Sequence, residues 1–590
     1  MEQGPKIKVE AKLISQLLNS GRFEVPWHQR TYDWTEEVDD LLTDLMDAHE
    51  SGLACYFLGP VMLLKARPET SQQINDGQQR LITFSLLMAA LCHRFSHIVP
   101  RDTDKEARAN RLLFDRGPSQ SARFEDVAKG KYDQRILPPQ VNRDKYRQII
   151  RGNKIRGNGR LITAWHKVKH FIEHMDAGTL NTFFEFLLAG VEVAVLTVPP
   201  EVDKHRVFET LNARGKRLNA VDLIRNLLYS HFSEQEDDTR RVIVHDNLER
   251  SRRILDKRTA VKSYYHCYLQ CTYGHLKKKR LYREFRNKLM AEVRGEEAGK
   301  YAYQLAKGLG REESAWLFQA VHSGQISERL AGRLPKIKGK RDLAVLLREL
   351  GEYSVAHPLC FALLHRFEDT IDSDMERDVR TRVDRGLKNL NAFVMRSVFV
   401  TNPFQPSRIA ADLAACSRNV FKSTDLASLD IVGHLRQCDK WGVFNDKEFI
   451  RRVTEVEWDR NSKKKARLYL FGINEHQQRG PSGVSFDDSS VEHVLPKASE
   501  YWQSWDGFND ANAEEFIYRT GNIVLISKPE NRSDAAFNSC YDKKQKAYKQ
   551  SSVLMARKVA QEHNEWTPTI VKKRSKQLAQ TAAGIWKFSG

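Results

Sequence analysis

The sequence predicts an α+β protein of several domains, and three observations carry that expectation. At 590 residues the chain exceeds what a single hydrophobic core organises, so it should divide into two to four domains. Apolar runs of strand length occur in the first two hundred residues and again near residue 491, bounded by Gly and Pro. Between them, from 237 to 455, the apolar spacing is that of helices and no fixed repeat period emerges. The expected organisation is therefore residues 1–236, a helical bridging region 237–455, and a closing domain 456–590.

Composition narrows the class. Apolar residues make up 41% and charged residues 29%, ordinary for a globular protein, and no apolar run reaches membrane-spanning length. The start, Met1-Glu2-Gln3-Gly4-Pro5-Lys6, lacks the apolar core of a signal peptide, so a cytoplasmic location and no membrane partner are expected. Eight scattered cysteines show no paired framework, which fits a reducing compartment. His266, Cys267, Cys271 and His275 lack zinc-site spacing and read as buried helix positions. The formal charge of +19 makes nucleic acid the first partner to consider. Lys277–Arg280, Lys463–Lys465 and Lys572–Arg574 are its densest clusters, each unremarkable alone and jointly a surface for phosphates.

Taken in order, residues 11–20 have helical spacing closed by Gly21, and Phe23-Glu24-Val25 reads as extended. Thr35 is placed to cap a helix reaching about Asp47, with Glu36 and Glu37 favourable to its dipole. Residues 56–64 form a strand with a bulge or edge at Gly59-Pro60. Ile74-Asn75-Asp76-Gly77-Gln78-Gln79-Arg80 is then a strand–turn–helix leading into an apolar helix, Leu81 to Phe95. Such a turn aims backbone N–H groups at one spot, Arg80 adds a fork for phosphate, and Asp76 could hold a metal or orient water. Residues 99–160 are polar and read as an insertion, followed by helices at 161–175 and 180–188 and a β-branched strand at 191–198. Gly152–Asn158 is not a Walker A run, so any nucleotide hydrolysis here is of a non-P-loop kind. In the middle, helices are expected at 343–353, 358–367 and 380–397.

The chemistry concentrates near the end, in Val491-Glu492-His493-Val494-Leu495-Pro496 and Gly521-Asn522-Ile523-Val524-Leu525-Ile526, continuing to Asn531. Glu492 and Asn531 offer hard oxygens to a divalent cation, and His493 is a base of suitable type for water. Pro496 limits the first strand, and Asn522 suits a turn after Gly521. Ala535 to Tyr548 is expected to be the helix that completes a ββα unit. The order of these residues resembles the ββα-metal, or HNH, nucleases, and residues 466–587 resemble the GmrD-type domain.

The amino-terminal motifs have a matching resemblance. Val25-Pro26-x-x-Gln29-Arg30-x-Tyr32-x-Trp34, Tyr56-Phe57-Leu58-Gly59, Asp76–Arg80 and Val207–Leu218 together resemble the GmrS-type domain of modification-dependent restriction systems. The combined architecture is also similar to phosphorothioate-sensing Ssp-type and BREX-associated proteins. The resemblance implies a ParB/sulfiredoxin-like amino-terminal fold that binds and hydrolyses a nucleoside triphosphate (GTP, ATP, CTP or UTP). It assigns Gln29, Arg30, Tyr32, Asp76, Gly77, Gln78, Gln79, Arg80, Asn212 and Arg214 to the nucleotide, with Asp76 also catalytic. His28 departs from the Tyr that many relatives carry there and is assigned to DNA or to sensing its modification. In the carboxy-terminal domain His493 and Asn522 are the catalytic pair, Glu492 and Asn531 the ligands of Mg²⁺ or Mn²⁺, and Arg532, Lys543 and Lys544 the DNA contacts. Of the two asparagines, Asn522 is expected to brace the hairpin.

The implied protein is a nucleotide-regulated, metal-dependent DNA endonuclease of anti-phage defence that senses DNA modification. Its implied partners are phage DNA, a nucleoside triphosphate, a second copy of the chain and companion modification proteins. The rival readings are an RNA-cleaving defence nuclease and a non-catalytic sensor of modified DNA.

Overall fold

The computed structural model describes residues 7–589 except 27–28, 30, 65–70, 99–100, 116–132, 200–201, 203–206, 208–219, 232–237, 256, 293–296, 336–341, 372–374, 479–482, 502–504 and 533–538. The chain folds as two compact units, Met1–His231 and Phe232–Gly590. It is mixed α/β and mostly helical, with a small sheet in the first unit and a two-stranded ribbon in the second. Among the described residues no helix is long and apolar enough to cross a membrane.

The first unit is built on strands β1 (Lys8–Leu13), β2 (Phe23–Glu24), β3 (Tyr56–Leu64), β4 (Gln72–Asp76), β7 (Ile136–Leu137) and β8 (Val191–Val198). They lie in the order β1-β8-β3-β4-β2-β7, while β5 (Phe114–Asp115) and β6 (Asp133–Gln134) form a separate ribbon. β3 and β8 run parallel at the centre, and β1 pairs antiparallel with β8 along the edge. The β-branched run of β8 buries Val191, Val193 and Val195, alternate residues sharing a face as a pleated strand requires. Gly59 marks a shift in the β3–β8 register, the bulge that Gly59-Pro60 predicts.

Residues 11–20 are not one helix. β1 continues to Leu13, and only Ile14–Asn19 is helical. Thr35 stands at the start of helix Glu36–Glu50, but its side chain makes no capping bond; its N–H instead donates to Glu37. The helix Gln78–His97 is the hub of this unit, with Leu81, Phe84, Leu87, Leu91 and Phe95 all buried in its core. The polar insertion contributes helices Thr103–Leu113 and Gln140–Ile150.

In the second unit the long helix Glu376–Phe399 carries Arg396, wholly buried, with its guanidinium shared among the carbonyls of Trp586, Val443 and Ala583 and the Asp446 carboxylate. Glu349, also buried, accepts from Asn391 and from the indole N–H of Trp586. These bonds fasten the end of the closing helix, Pro568–Ile585, to the helices that precede the hairpin. His266 bonds the Leu276 carbonyl and Cys271 lies against the Pro358 carbonyl, so both belong to helix packing.

Candidate active site

The hairpin consists of β9 (Ser489–His493) and β10 (Ile523–Ser527), antiparallel, with His493 opposite Ile523 and Glu492 opposite Val524. β10 forms because Ile523-Val524-Leu525-Ile526 is β-branched and apolar, and all four side chains are fully buried. β9 ends at His493, three residues before Pro496. Along it Ser490 and Glu492 alternate to one face and Val491 and His493 to the other. Asn531, in the short helix Lys528–Arg532, donates its amide to Ser490 Oγ at 2.7 Å and so lies on the face of Glu492. The two expected ligands thus share a face, and the expected base stands at the strand end on the other.

His493 is the one side chain of this set with an unmet need. Its Nε2 is buried with no hydrogen-bond partner among the described residues, and its ring packs edge-on against Tyr518 at 5.9 Å. Burial, reinforced by the positive charges of Lys497, Lys544 and Lys463, pushes the imidazole down to about 3, so the ring is neutral. A neutral imidazole with an open ring nitrogen is a proton acceptor.

Lys544 takes a different place from the phosphate contact expected of it. The side chain is fully buried, and its ammonium donates to Glu492 Oε1 at 2.7 Å, to the His493 carbonyl at 2.6 Å and to the Val494 carbonyl at 2.9 Å. Its three donors are spent on holding the turn after β9, so it anchors the site from behind. Glu492 is correspondingly enclosed: burial raises its carboxyl, and Lys544 only partly holds that back. Lys543, one residue earlier, is exposed. The side chain of Arg532 lies outside the described residues.

Asn522 is a brace. Its Oδ1 accepts from Leu495 N at 2.7 Å and Trp566 Nε1 at 3.0 Å, and its amide donates to the carbonyls of Leu495 and Ile517. With every polar group engaged and the residue fully buried, it has nothing left to offer a reacting atom, which corrects its placement as catalytic. The closing helix completes the support. Arg574 donates to the carbonyls of Gly521 and Ile523, Ser575 accepts from Gly521 N, and a Cβ at Gly521 would run into the Val571 carbonyl. The helix expected at 535–548 begins at Tyr541 and reaches Lys549.

Beside the hairpin a cleft of about 490 Å³ opens along β9, lined by Lys463, Lys464, Arg467, Ser489, Ser490, Val491, Lys528 and Asn531. Three of its four basic residues, Lys463, Lys464 and Arg467, come from the helix Lys463–Gln477, where Lys465 turns inward to bond the Thr401 carbonyl. Sequence reading sees Lys463–Lys465 as a charge run; nothing in it reveals which lysine turns inward. Arg467, Lys528, Ser490 and Tyr518 carry no signal of their own.

In the first unit Gly77 adopts φ +90°, the left-handed turn that starts the hub helix, and a Cβ there would press on Val61 and the Pro60 carbonyl. The expected nucleotide residues then divide. Gln79 Oε1 accepts from Asp33 N at 2.9 Å and its amide donates to the Thr31 carbonyl at 3.3 Å. Gln29 donates to Asn75, and the Tyr32 hydroxyl meets Thr83 at 2.6 Å. These three are buried and spend their polar groups within the unit, which corrects their placement as direct ligand contacts; Gln78 is buried too. Asp76 and Arg80 remain partly open, 26% and 20% exposed and 3.8 Å apart. Arg80 reaches across Gly59, where a Cβ would meet its guanidinium, to bond the Leu58 carbonyl. His28, Arg30, Asn212 and Arg214 lie outside the described residues.

Comparison with known proteins agrees with this division. Residues 14–229 match the N-terminal domain of GmrSD restriction endonuclease, and residues 443–581 match the C-terminal domain of GmrSD restriction endonucleases. No individual curated protein matches the chain. The two matches define its class, a restriction-type endonuclease acting on DNA. The chain belongs to the GmrSD family of these enzymes.

Proposed function

We propose that the hairpin hydrolyses phosphodiester bonds of DNA by a one-metal mechanism of the ββα-metal, or HNH, type. The observation that carries this reading is the buried Nε2 of His493, without a hydrogen-bond partner among the described residues, at the end of the strand that also bears Glu492. Among the described residues no three His, Cys, Asp or Glu side chains cluster as a cage for an ion. The fit is instead to a hard cation that keeps several waters, held by one carboxylate and one amide oxygen, as suits Mg²⁺ or Mn²⁺. Asn531, fixed through its amide nitrogen by Ser490, presents its carbonyl oxygen as that second donor. When bound, such an ion supplies Lewis-acid stabilisation of the charge that develops on the phosphate.

The chain's own groups do the rest. His493 Nε2 takes a proton from water as the water oxygen bonds to phosphorus and a P–O bond to a flanking sugar breaks. Tyr518 holds the imidazole plane, while Lys544 and Asn522 fix the backbone on which Glu492 and His493 stand.

For the first unit the reading is a regulatory nucleotide site on a ParB/sulfiredoxin-like domain, with Asp76 and Arg80 facing the nucleoside triphosphate. Gln29, Tyr32 and Gln79 shape the pocket from behind. DNA modification is the signal this domain reads.

Purified protein incubated with Mg²⁺ or Mn²⁺, each nucleoside triphosphate, and modified or plain phage DNA beside RNA tests the whole reading. Cleavage of DNA that requires the metal and responds to one nucleotide supports it. Cleavage confined to RNA, or binding of modified DNA with no cleavage under any condition, replaces it with one of the rivals.

A further inference from the structure

The cleft along β9 has a composition that the hairpin chemistry does not use. Lys463, Lys464 and Arg467 project from one helix and Lys528 from another, so four cations from two elements border one space of about 490 Å³. Two are already restrained: Lys464 pairs with Glu352, and the Arg467 guanidinium stacks 4.3 Å over Phe486. Lys463 and Lys528 are exposed and, among the described residues, make no ion pair. Ser489, Ser490 and Val491 of β9 line the same space. Asn531 lines the same cleft, which joins it directly to the proposed metal ligands.

We propose that this cleft holds the DNA backbone beside the scissile bond, with Lys463 and Lys528 gripping a flanking phosphate and Arg467 positioned to fork onto it. Among the described residues no aromatic side chain lines the cleft, so they offer no platform on which a base would stack. Its donors are the charged groups that engage phosphate oxygens without reading sequence. The inference rests on the nuclease reading above, and it adds which surface carries the substrate strand to His493.

The test is a charge reversal, Lys463→Glu with Lys528→Glu, in the full chain, with Lys463→Ala/Lys528→Ala as the milder companion and thermal melting to confirm folding. Binding of a labelled DNA duplex is measured against NaCl without divalent metal, and cleavage is measured separately with Mg²⁺ or Mn²⁺. The expected result is a slope of log K against log salt shallower by about 0.9, one phosphate contact's worth. Cleavage should then show a KM raised at least tenfold, with kcat changed far less. Unaltered affinity and salt slope in both folded variants would overturn the proposal, even if the wild type cleaves DNA normally. Absence of cleavage by the wild type with either metal overturns the nuclease reading alone, because the binding experiment still decides the cleft.

Discussion

Two polar motifs that look equally chemical in the sequence have opposite fates in the fold. Asp76–Arg80 starts a helix at the centre of the first unit, and there Gln79, with Gln29 and Tyr32 beside it, is consumed by internal hydrogen bonds. Glu492-His493 starts a turn in the second unit, and there the histidine keeps a buried nitrogen that nothing among the described residues satisfies. Residue type does not separate the two cases. What separates them is the inventory of partners: a buried polar group that the fold satisfies is architecture, and one left open is poised for something else.

The sharpest attack on this contrast is His493→Ala. Cleavage of DNA should fall by about 10²–10⁴-fold, the range for losing a general base, in a protein that still folds, its melting temperature lowered only by loss of the ring's packing against Tyr518. Full cleavage by that variant would remove His493 from the mechanism. Lys544→Met tests the buried support of the same site. It leaves Glu492 enclosed without its counter-charge and should destabilise the second unit by about 3–5 kcal/mol, measured by denaturant unfolding. Combining it with Glu492→Gln should recover most of that loss; strict additivity would show that the pair is not coupled.

On the other side, Gln79→Ala should cost about 1–3 kcal/mol by releasing Asp33 N–H and the Thr31 carbonyl, and impair nucleotide turnover only through stability. Asp76→Ala should abolish turnover in a protein that melts normally. If the effects of the two variants were exchanged, glutamine would be the ligand contact and the division drawn here would be wrong.

The smallest effect is a pH dependence. Burial lowers the Lys465 ammonium to about 8 from an ordinary 10.5. Between those values the unfolded chain binds the proton more tightly, so the penalty is complete below pH 8 and is relieved as pH rises toward 10.5. Wild type should therefore gain stability over Lys465→Met across that window, on the order of 2 kcal/mol, and a constant difference would place the lysine in water.

Much of the fold was legible because its signals are local. β8 is a β-branched run between polar neighbours, and the hub helix is apolar around most of its circumference, so neither needs its partners to be recognised. Residues 11–20 were misread because Leu13, Ile14, Leu17 and Leu18 keep helical spacing, which outweighed the polar–apolar alternation of the edge strand Lys8–Leu13. At the site, Glu492, His493 and Asn531 were visible by type and order. Lys544 was not, since a lysine within Lys543-Lys544-Gln545-Lys546 reads as solvated, and only the packing of its helix against β9 turns it inward. The cleft was invisible for a related reason: Lys528 lies more than sixty residues from Lys463, Lys464 and Arg467 in the chain and meets them only when folded.

The closing helix gives the hairpin a remote dependence. Arg574 and Ser575 hold the residues that open β10, and Trp586, a dozen positions on, is bolted to Glu349 and Arg396. A proteolytic nick in the loop near Thr567 would leave β9, Glu492 and His493 intact as covalent structure, yet would unfasten the strand that sets their register. Silencing the nuclease therefore requires no change at the residues that do its chemistry.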